Sequence, residues 1–366
     1  MKRLLSCTSS EMLKMDGQEL KQAILASEGR TVMTETVVAI EPLLGDLTNA
    51  ELAVSFGSDM VLLNCFDCNN PEIKGLPECD NPVEKLKEIV GRPIGCNLEP
   101  VDLEAELMEE RRVISTGRQA RKETYIKAQE LGFNFICLTG NPGVGVSNHS
   151  ICEAIKEAKK YFKGLIIAGK MHAAGIDEPI VDMNSIKEFI EAGADVILMP
   201  AVNTVPGLSE QEVTEACRYI KAHGALSLSA IGTSQEGADE GTIREIALLN
   251  KRCGIDIQHI GDAGFCGIAL PENMFYNTKL ATYIWVLSNK KEPRRVGKVQ
   301  LIDASSFKSP LKRNMGKKNC ELTSELRNKI VELFLSMEEN EHSHIVSNSE
   351  FGYWKLTVQQ PQIDEH

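Results

Sequence analysis

No apolar run in this 366-residue chain approaches the roughly 20 residues a helix needs to cross a bilayer, so a helical membrane protein is excluded. An excess of basic charge is missing too. Against 52 Asp and Glu stand 40 Lys and Arg, a formal charge of −12, whereas a surface built throughout for nucleic acid needs clustered cations. The eleven cysteines include one CxxC, Cys65-Phe66-Asp67-Cys68, with no second pair and no histidine spacing to complete a zinc site. Scattered through a chain this long, they read as reduced thiols, mostly small buried hydrophobes, and not as a disulfide framework. The opening MKRLLSCTSS places Cys7 as a lipoprotein box would, but no apolar segment precedes it. The expectation is a cytoplasmic protein.

What is present is a beat of short apolar strands and helix-periodic segments. A capped amphipathic helix runs from Ser9 toward Gly29, ahead of the first strand as a lid helix would be. Strands follow at Thr31 to Val38, Met60 to Cys65, Pro93 to Leu98, Phe133 to Leu138, Leu165 to Ala168, Val196 to Met199, Leu226 to Ala230 and Ile255 to Ile260. Helical stretches separate them, the longest a charged one from Val101 to Leu131. Eight strands with seven intervening helices predict an α/β protein with a parallel sheet closed into a (β/α)8 TIM barrel over residues 1–270; an open doubly wound sheet is the alternative. Gly132, Gly193 and Gly224 recur at helix-to-strand joints, where a left-handed C-cap turns the chain back.

In such a barrel the loops leaving the C-terminal strand ends build the active face. Glu35 (with Glu41 and Asp46 beyond it), Asn64, Asn97, Glu99, Asn141, Lys170 and His172 fall there. So do Gly232-Thr233-Ser234 after strand seven and Gly261-Asp262-Ala263-Gly264 after strand eight. The last two loops are where barrels hold a phosphate on backbone N–H groups, so Asn64, Asn97, Asn141, Gly232, Thr233, Ser234, Gly261 and Gly264 are expected to bind a small substrate, phosphorylated or otherwise anionic. Lys170 and His172, two apart at a strand end and thus on one side, suit carbonyl polarisation or Schiff-base chemistry with proton shuttling. Glu35, Glu99 and Asp262 are candidate general bases, or ligands of a divalent metal such as Mg2+; the cofactor is otherwise unassigned. Gly140 to Gly145 lacks the GK[ST] ending of a P-loop.

The stretches MKRLLSCTSSEML, ASEGRTVMTETV, GRPIGCNLEPV, LTGNPGVGV, AGKMHAAG, AIGTSQEGADEGTIR and HIGDAGFCGIALPEN resemble a bacterial TIM-barrel family of unassigned function. Its members are often labelled haloacid-dehalogenase-like hydrolases. That chemistry needs a nucleophilic Asp in a DxD setting on an open sheet, and the first strand ends Thr34-Glu35-Thr36-Val37. The barrel reading therefore implies a lyase-, aldolase- or hydrolase-like enzyme.

Beyond Leu270 the pattern changes. Where an eighth helix is due, Thr282 to Leu287 is β-branched and aromatic, and with Lys298 to Asp303 it reads as a β-hairpin across a charged turn at Pro293. A basic, loop-like run follows (Lys308, Lys312, Arg313, Lys317, Lys318), then a helix from Thr323 through Met337 and a strand pattern at Phe351 to Val358. ALPENMFYNT, ATYIWVLSNKK, GKVQLIDAS, RNMGKKNCEL and FGYWKLTVQQP resemble the C-terminal part of the adenine-specific DNA methylase subunit of type I restriction systems. The resemblance implies a small α+β segment over 271–366, with DNA or restriction-system subunits as partners. The Asn-Pro-Pro-Phe/Tyr motif that holds a flipped adenine is absent from the chain, as is a methylase cofactor loop. Ala269 to Asn273 fits both resemblances, so the chain reads as a chimera joined there.

Overall fold

The computed structural model describes residues 2–40, 42, 47–108, 110–232, 235, 238, 240–261, 293–296, 298–304, 306–315, 318–321 and 323–347. The chain divides into two compact units, Met1–Cys266 and Gly267–His366. The expected boundary at 270 and 271 lies outside the described residues.

In the first unit eight parallel strands close a barrel in sequence order. They are β1 (Thr31–Val37), β2 (Met60–Asn64), β3 (Ile94–Leu98), β4 (Phe135–Leu138), β5 (Leu165–Gly169), β6 (Val196–Pro200), β7 (Leu226–Ile231) and β8 (Ile257–Ile260). Closure is direct, with β8 beside β1 in the register Val32 to Gln258 and Met33 to His259. A helix follows each of the first seven strands: α3 (Asn49–Ser55), α4 (Pro82–Val90), α5 (Lys122–Glu130), α6 (Asn148–Tyr161), α7 (Met183–Ala192), α8 (Glu210–Ala222) and α9 (Glu240–Cys253). Side-chain caps start several of them: Thr48, Ser147 and Ser209 each accept from the third helical N–H, satisfying a donor that the helix cannot. Gly132, Gly193 and Gly224 take positive φ of 86°, 107° and 74° at the helix-to-strand joints.

Strand alternation sorts the core into two. Met33, Leu62, Phe135, Ile167, Leu198, Leu228 and Ile257 fill the barrel interior, while Val61, Ile136, Ile166 and Ile197 face the helices. Gly95 leaves room for the Phe135 ring, which a Cβ there would strike.

The helix expected from Ser9 to Gly29 is two helices, α1 (Ser9–Met12) and α2 (Gly17–Leu25). Asp16 breaks them by capping α2, accepting Glu19 N–H at 2.8 Å. Leu20, Ala23 and Ile24 join the interior core, and Gly17 packs on the Gly164 backbone just before β5. The segment thus closes the N-terminal end of the barrel, opposite the strand ends expected to carry the site.

A second correction concerns residues 101–121, expected as helix. Among the described residues of that stretch only a 3-10 turn at Thr116–Arg118 is helical, and α5 begins after it at Lys122. The charged string carries no buried apolar stripe; Leu103, Met108 and Val113 are exposed. Its backbone bonds the neighbouring loops instead, with Asp102 N–H on Gly145 O (2.8 Å), Met108 N–H on Gly175 O (2.9 Å) and Arg112 N–H on Gly143 O (2.7 Å).

In the second unit β9 (Lys298–Ile302) pairs antiparallel with β12 (Ser343–Ser347), and β10 (Ser309–Met315) with β11 (Lys318–Glu321). The basic run is therefore in part strand and not loop: Lys312 and Arg313 lie on β10 and Lys318 on β11, while Lys317 lies outside the described residues. The partner expected for β9, Thr282 to Leu287, and the strand pattern at Phe351 to Val358 lie outside the described residues, as does any element replacing the eighth helix. Helix α10 (Ser324–Ser336) follows, and Arg294 donates to its terminal carbonyls at Leu335 (2.8 Å) and Ser336 (3.2 Å), groups the helix leaves free. Among the described residues no helix is long and apolar enough to cross a membrane.

Candidate active site

Three strands bring one polar group each onto the apolar floor of the barrel. Glu35 follows Met33 on the inward face of β1, Asn97 lies on β3, and His259 follows Ile257 on β8; all three are buried, at 2%, 4% and 1% exposure. The Glu35 carboxylate joins them, accepting Asn97 Nδ2 at 2.6 Å through Oε1 while Oε2 stands 3.2 Å from His259 Nε2. Neither Asn97 Oδ1 nor His259 Nδ1 has a hydrogen-bond partner, and the Nε2 contact is close in distance but poorly directed. Cys137, inward on β4, feels this centre: burial pushes its thiol well up, and the Glu35 charge adds to the effect.

A second polar cluster lies beside it. The Glu99 carboxylate accepts an Arg118 guanidinium N–H at 2.6 Å and the Asn141 backbone N–H at 2.8 Å. Asn64 and Asn141 exchange reciprocal amide bonds of 3.1 Å. Arg118 Nε and the Thr139 hydroxyl are buried without partners.

Lys170 and His172 lie beyond the end of β5 at Gly169, whose φ is 147°, and they take different partners. The buried Lys170 ammonium donates to Glu178 Oε2 at 2.8 Å; that oxygen also accepts the N–H of Asn148, the first residue of α6, at 2.9 Å. His172 Nδ1 accepts the Ala174 N–H at 3.0 Å. Gly232 and Gly261 lie back to back, Gly261 donating to Ile231 O at 2.8 Å, whereas Thr233, Ser234, Asp262 and Gly264 lie outside the described residues.

Among the described residues, Cys65, Ala174 and Asn203 are non-glycine residues with positive φ, 61°, 55° and 64°, in connections that follow strands here. Each such conformation costs on the order of 1–3 kcal/mol, and strain of this kind collects at functional sites. Among the described residues no three His, Cys, Asp or Glu side chains are grouped to hold a metal ion.

His259 and Arg118 carry much of this geometry and escaped the sequence reading. The period-2 position of His259 behind Ile257 was its only signal. Arg118 was hidden in the segment read as helix.

Residues 5–279 match the family model described as Domain of unknown function (DUF7916), and residues 232–361 match one described as N-6 DNA Methylase. No curated protein matches the chain. Among solved structures, a 2,3-dimethylmalate lyase of the PEP mutase/isocitrate lyase superfamily is 13% identical, covering 67% of this chain and 80% of its own, with a TM-score of 0.42. A phosphonopyruvate hydrolase in complex with oxalate and Mg2+ is 15% identical over 68% and 81%, with a TM-score of 0.41. A phosphoenolpyruvate phosphomutase from Streptomyces platensis subsp. rosaceus is 16% identical over 65% and 79%, with a TM-score of 0.37. Scores this low carry no argument about chemistry. The haloacid-dehalogenase-like label finds no support in these matches, and the closed barrel is not the open sheet such an enzyme needs. Since its model covers residues 5–279, well over half of the chain, the protein belongs to the family described as Domain of unknown function (DUF7916).

Proposed function

We propose that the barrel is an enzyme working by general acid–base chemistry on a small anionic substrate, of the lyase, aldolase or hydrolase type. The observation that carries this reading is the buried Glu35–Asn97–His259 centre. A barrel built only for stability would continue the apolar layers below it. Each buried polar atom left unpaired costs about 1–3 kcal/mol, a cost with no structural return. Glu35 lies against the imidazole, and His259 exchanges the proton with the substrate. The unpartnered Arg118 Nε and Thr139 hydroxyl supply donors for the anionic end, together with the glycine loops at Gly232 and Gly261. Lys170, closed on Glu178, orders the loop after β5, and carbonyl chemistry at its nitrogen would first require that ion pair to open.

The test is thermal unfolding of the intact chain with sugar phosphates, 2-oxo acids and dicarboxylates, with and without Mg2+. At least one anion is expected to raise the midpoint, by mass action on the folded state, and Thr139→Val, which removes an unpartnered donor, is expected to weaken that rise while still folding. An unresponsive wild type, or an equally responsive variant, overturns the reading.

The methylase match favours a second reading for the second unit, a remnant of a type I modification subunit that touches DNA through the basic β10–β11 hairpin. Without the adenine-binding motif it would not methylate unaided. In that case the chain is a chimera, and long-read sequencing of its locus with an intact mass of the native protein tests this; two separate genes would refute a natural fusion.

A further inference from the structure

The floor of the site is chemically one-sided. A carboxylate only accepts hydrogen bonds, so the Asn97 group 2.6 Å from Glu35 is its NH2, which fixes Oδ1 as the atom left over. The His259 ring stands 3.2 Å from Glu35 through Nε2, and neither of its nitrogens has a hydrogen-bond partner. The unpartnered amide atom beside Glu35 is therefore an acceptor, with the unpaired His259 ring next to it. The unpartnered donors, Arg118 Nε and the Thr139 hydroxyl, belong to the other cluster, around Glu99.

We infer that the ligand of this site is bipolar: beside its anionic end it carries a hydroxyl or an ammonium group that donates to Asn97 Oδ1, next to His259, at the barrel floor. The inference rests on the anion-binding role proposed above and narrows its substrate class. An anion lacking the donor would leave a buried acceptor unpaired, and sites built to bond a hydroxyl or amine reject analogues without one strongly. An anionic group placed at the floor would meet the Glu35 carboxylate, so the ligand binds in one orientation only.

Binding of matched sets to the intact chain, measured calorimetrically, tests this. One set is succinate, malate and aspartate; the other is propyl phosphate, glycerol 3-phosphate and 3-aminopropyl phosphate. In at least one set the hydroxyl or the amine member is expected to bind roughly tenfold or more tighter than the plain anion, and the better of the two identifies the donor. Asn97→Ala is expected to bring that preference to within about twofold while the anion still binds, in protein whose circular dichroism is unchanged. Equal binding of plain and substituted anions overturns the inference and leaves the proposed function standing. A preference that survives both Asn97→Ala and His259→Phe places the donor elsewhere and also overturns it. If no member of either set binds, the anion-site reading itself fails, and the inference with it.

Discussion

At Gly95 the hydrogen side chain decides how the barrel fills, because the Phe135 ring occupies the space a Cβ would take. Gly95→Ala should destabilise the barrel by about 1–3 kcal/mol through overpacking. Phe135→Leu should recover part of that in the double variant, a coupling that denaturant unfolding of the four proteins measures. Two aspartates should show opposite pH behaviour. Burial holds the Asp59 carboxyl above its ordinary 3.8, against the pull of the Val32 N–H and of Arg92. Its folded form keeps the proton more tightly than its unfolded form, so the wild type loses stability as the pH rises from 3.8 through the raised value. Asp59→Asn, which keeps the acceptor, should therefore gain stability relative to wild type as the pH climbs through that window. At Asp182 the Ser185 backbone N–H holds the carboxyl below 3.8. Its contribution is present above 3.8 and lost as the pH falls through the lowered value. Asp182→Asn should lose ground relative to wild type as the pH rises. Unfolding free energies collected across acid pH check both signs.

The strands and most helices were legible because each carries its own period, with continuous Val, Ile and Leu runs for strands covered on both sides and capped amphipathic stretches for helices. The connection from Val101 to Arg121 was not. Its Glu, Arg and Leu residues favour helix individually, but helices in proteins draw their stability from a packed apolar face, and this segment buries Ile114 while Leu103, Met108 and Val113 stay exposed, so no such face forms. The misreading concealed Arg118, and with it the clamp on Glu99. That clamp yields a prediction for the element: Arg118→Ala leaves a carboxylate of 1% side-chain exposure with one remaining donor and should cost about 3–5 kcal/mol. Adding Glu99→Gln should recover much of it. Chemical unfolding of the single and double variants measures both. The site was legible as a face, since Glu35, Asn64, Asn97, Glu99 and Asn141 all lie at the strand ends. Who bonds to whom was not. The Asn97–Glu35 bond spans 62 residues of sequence, and no local pattern announces it.

For the whole molecule, the net charge of −12 sets the background against which its basic hairpin acts. Phosphate contacts make DNA binding steeply salt-dependent, and an acidic chain gains little from them at physiological ionic strength. Duplex DNA should therefore show no retention of the intact chain at about 0.15 M salt in a gel-shift assay; salt-sensitive retention there would favour the methylase-remnant reading. The central claim, that the Glu35–Asn97–His259 centre is where the ligand binds, is tested most directly by NMR. The imidazole signal of His259, assigned by its loss in His259→Gln, is followed while the most stabilising anion is titrated into the intact chain. A saturable shift of that signal, with the same midpoint as the thermal stabilisation, is the predicted result. A ligand that stabilises the protein and leaves the His259 signal unmoved would contradict it.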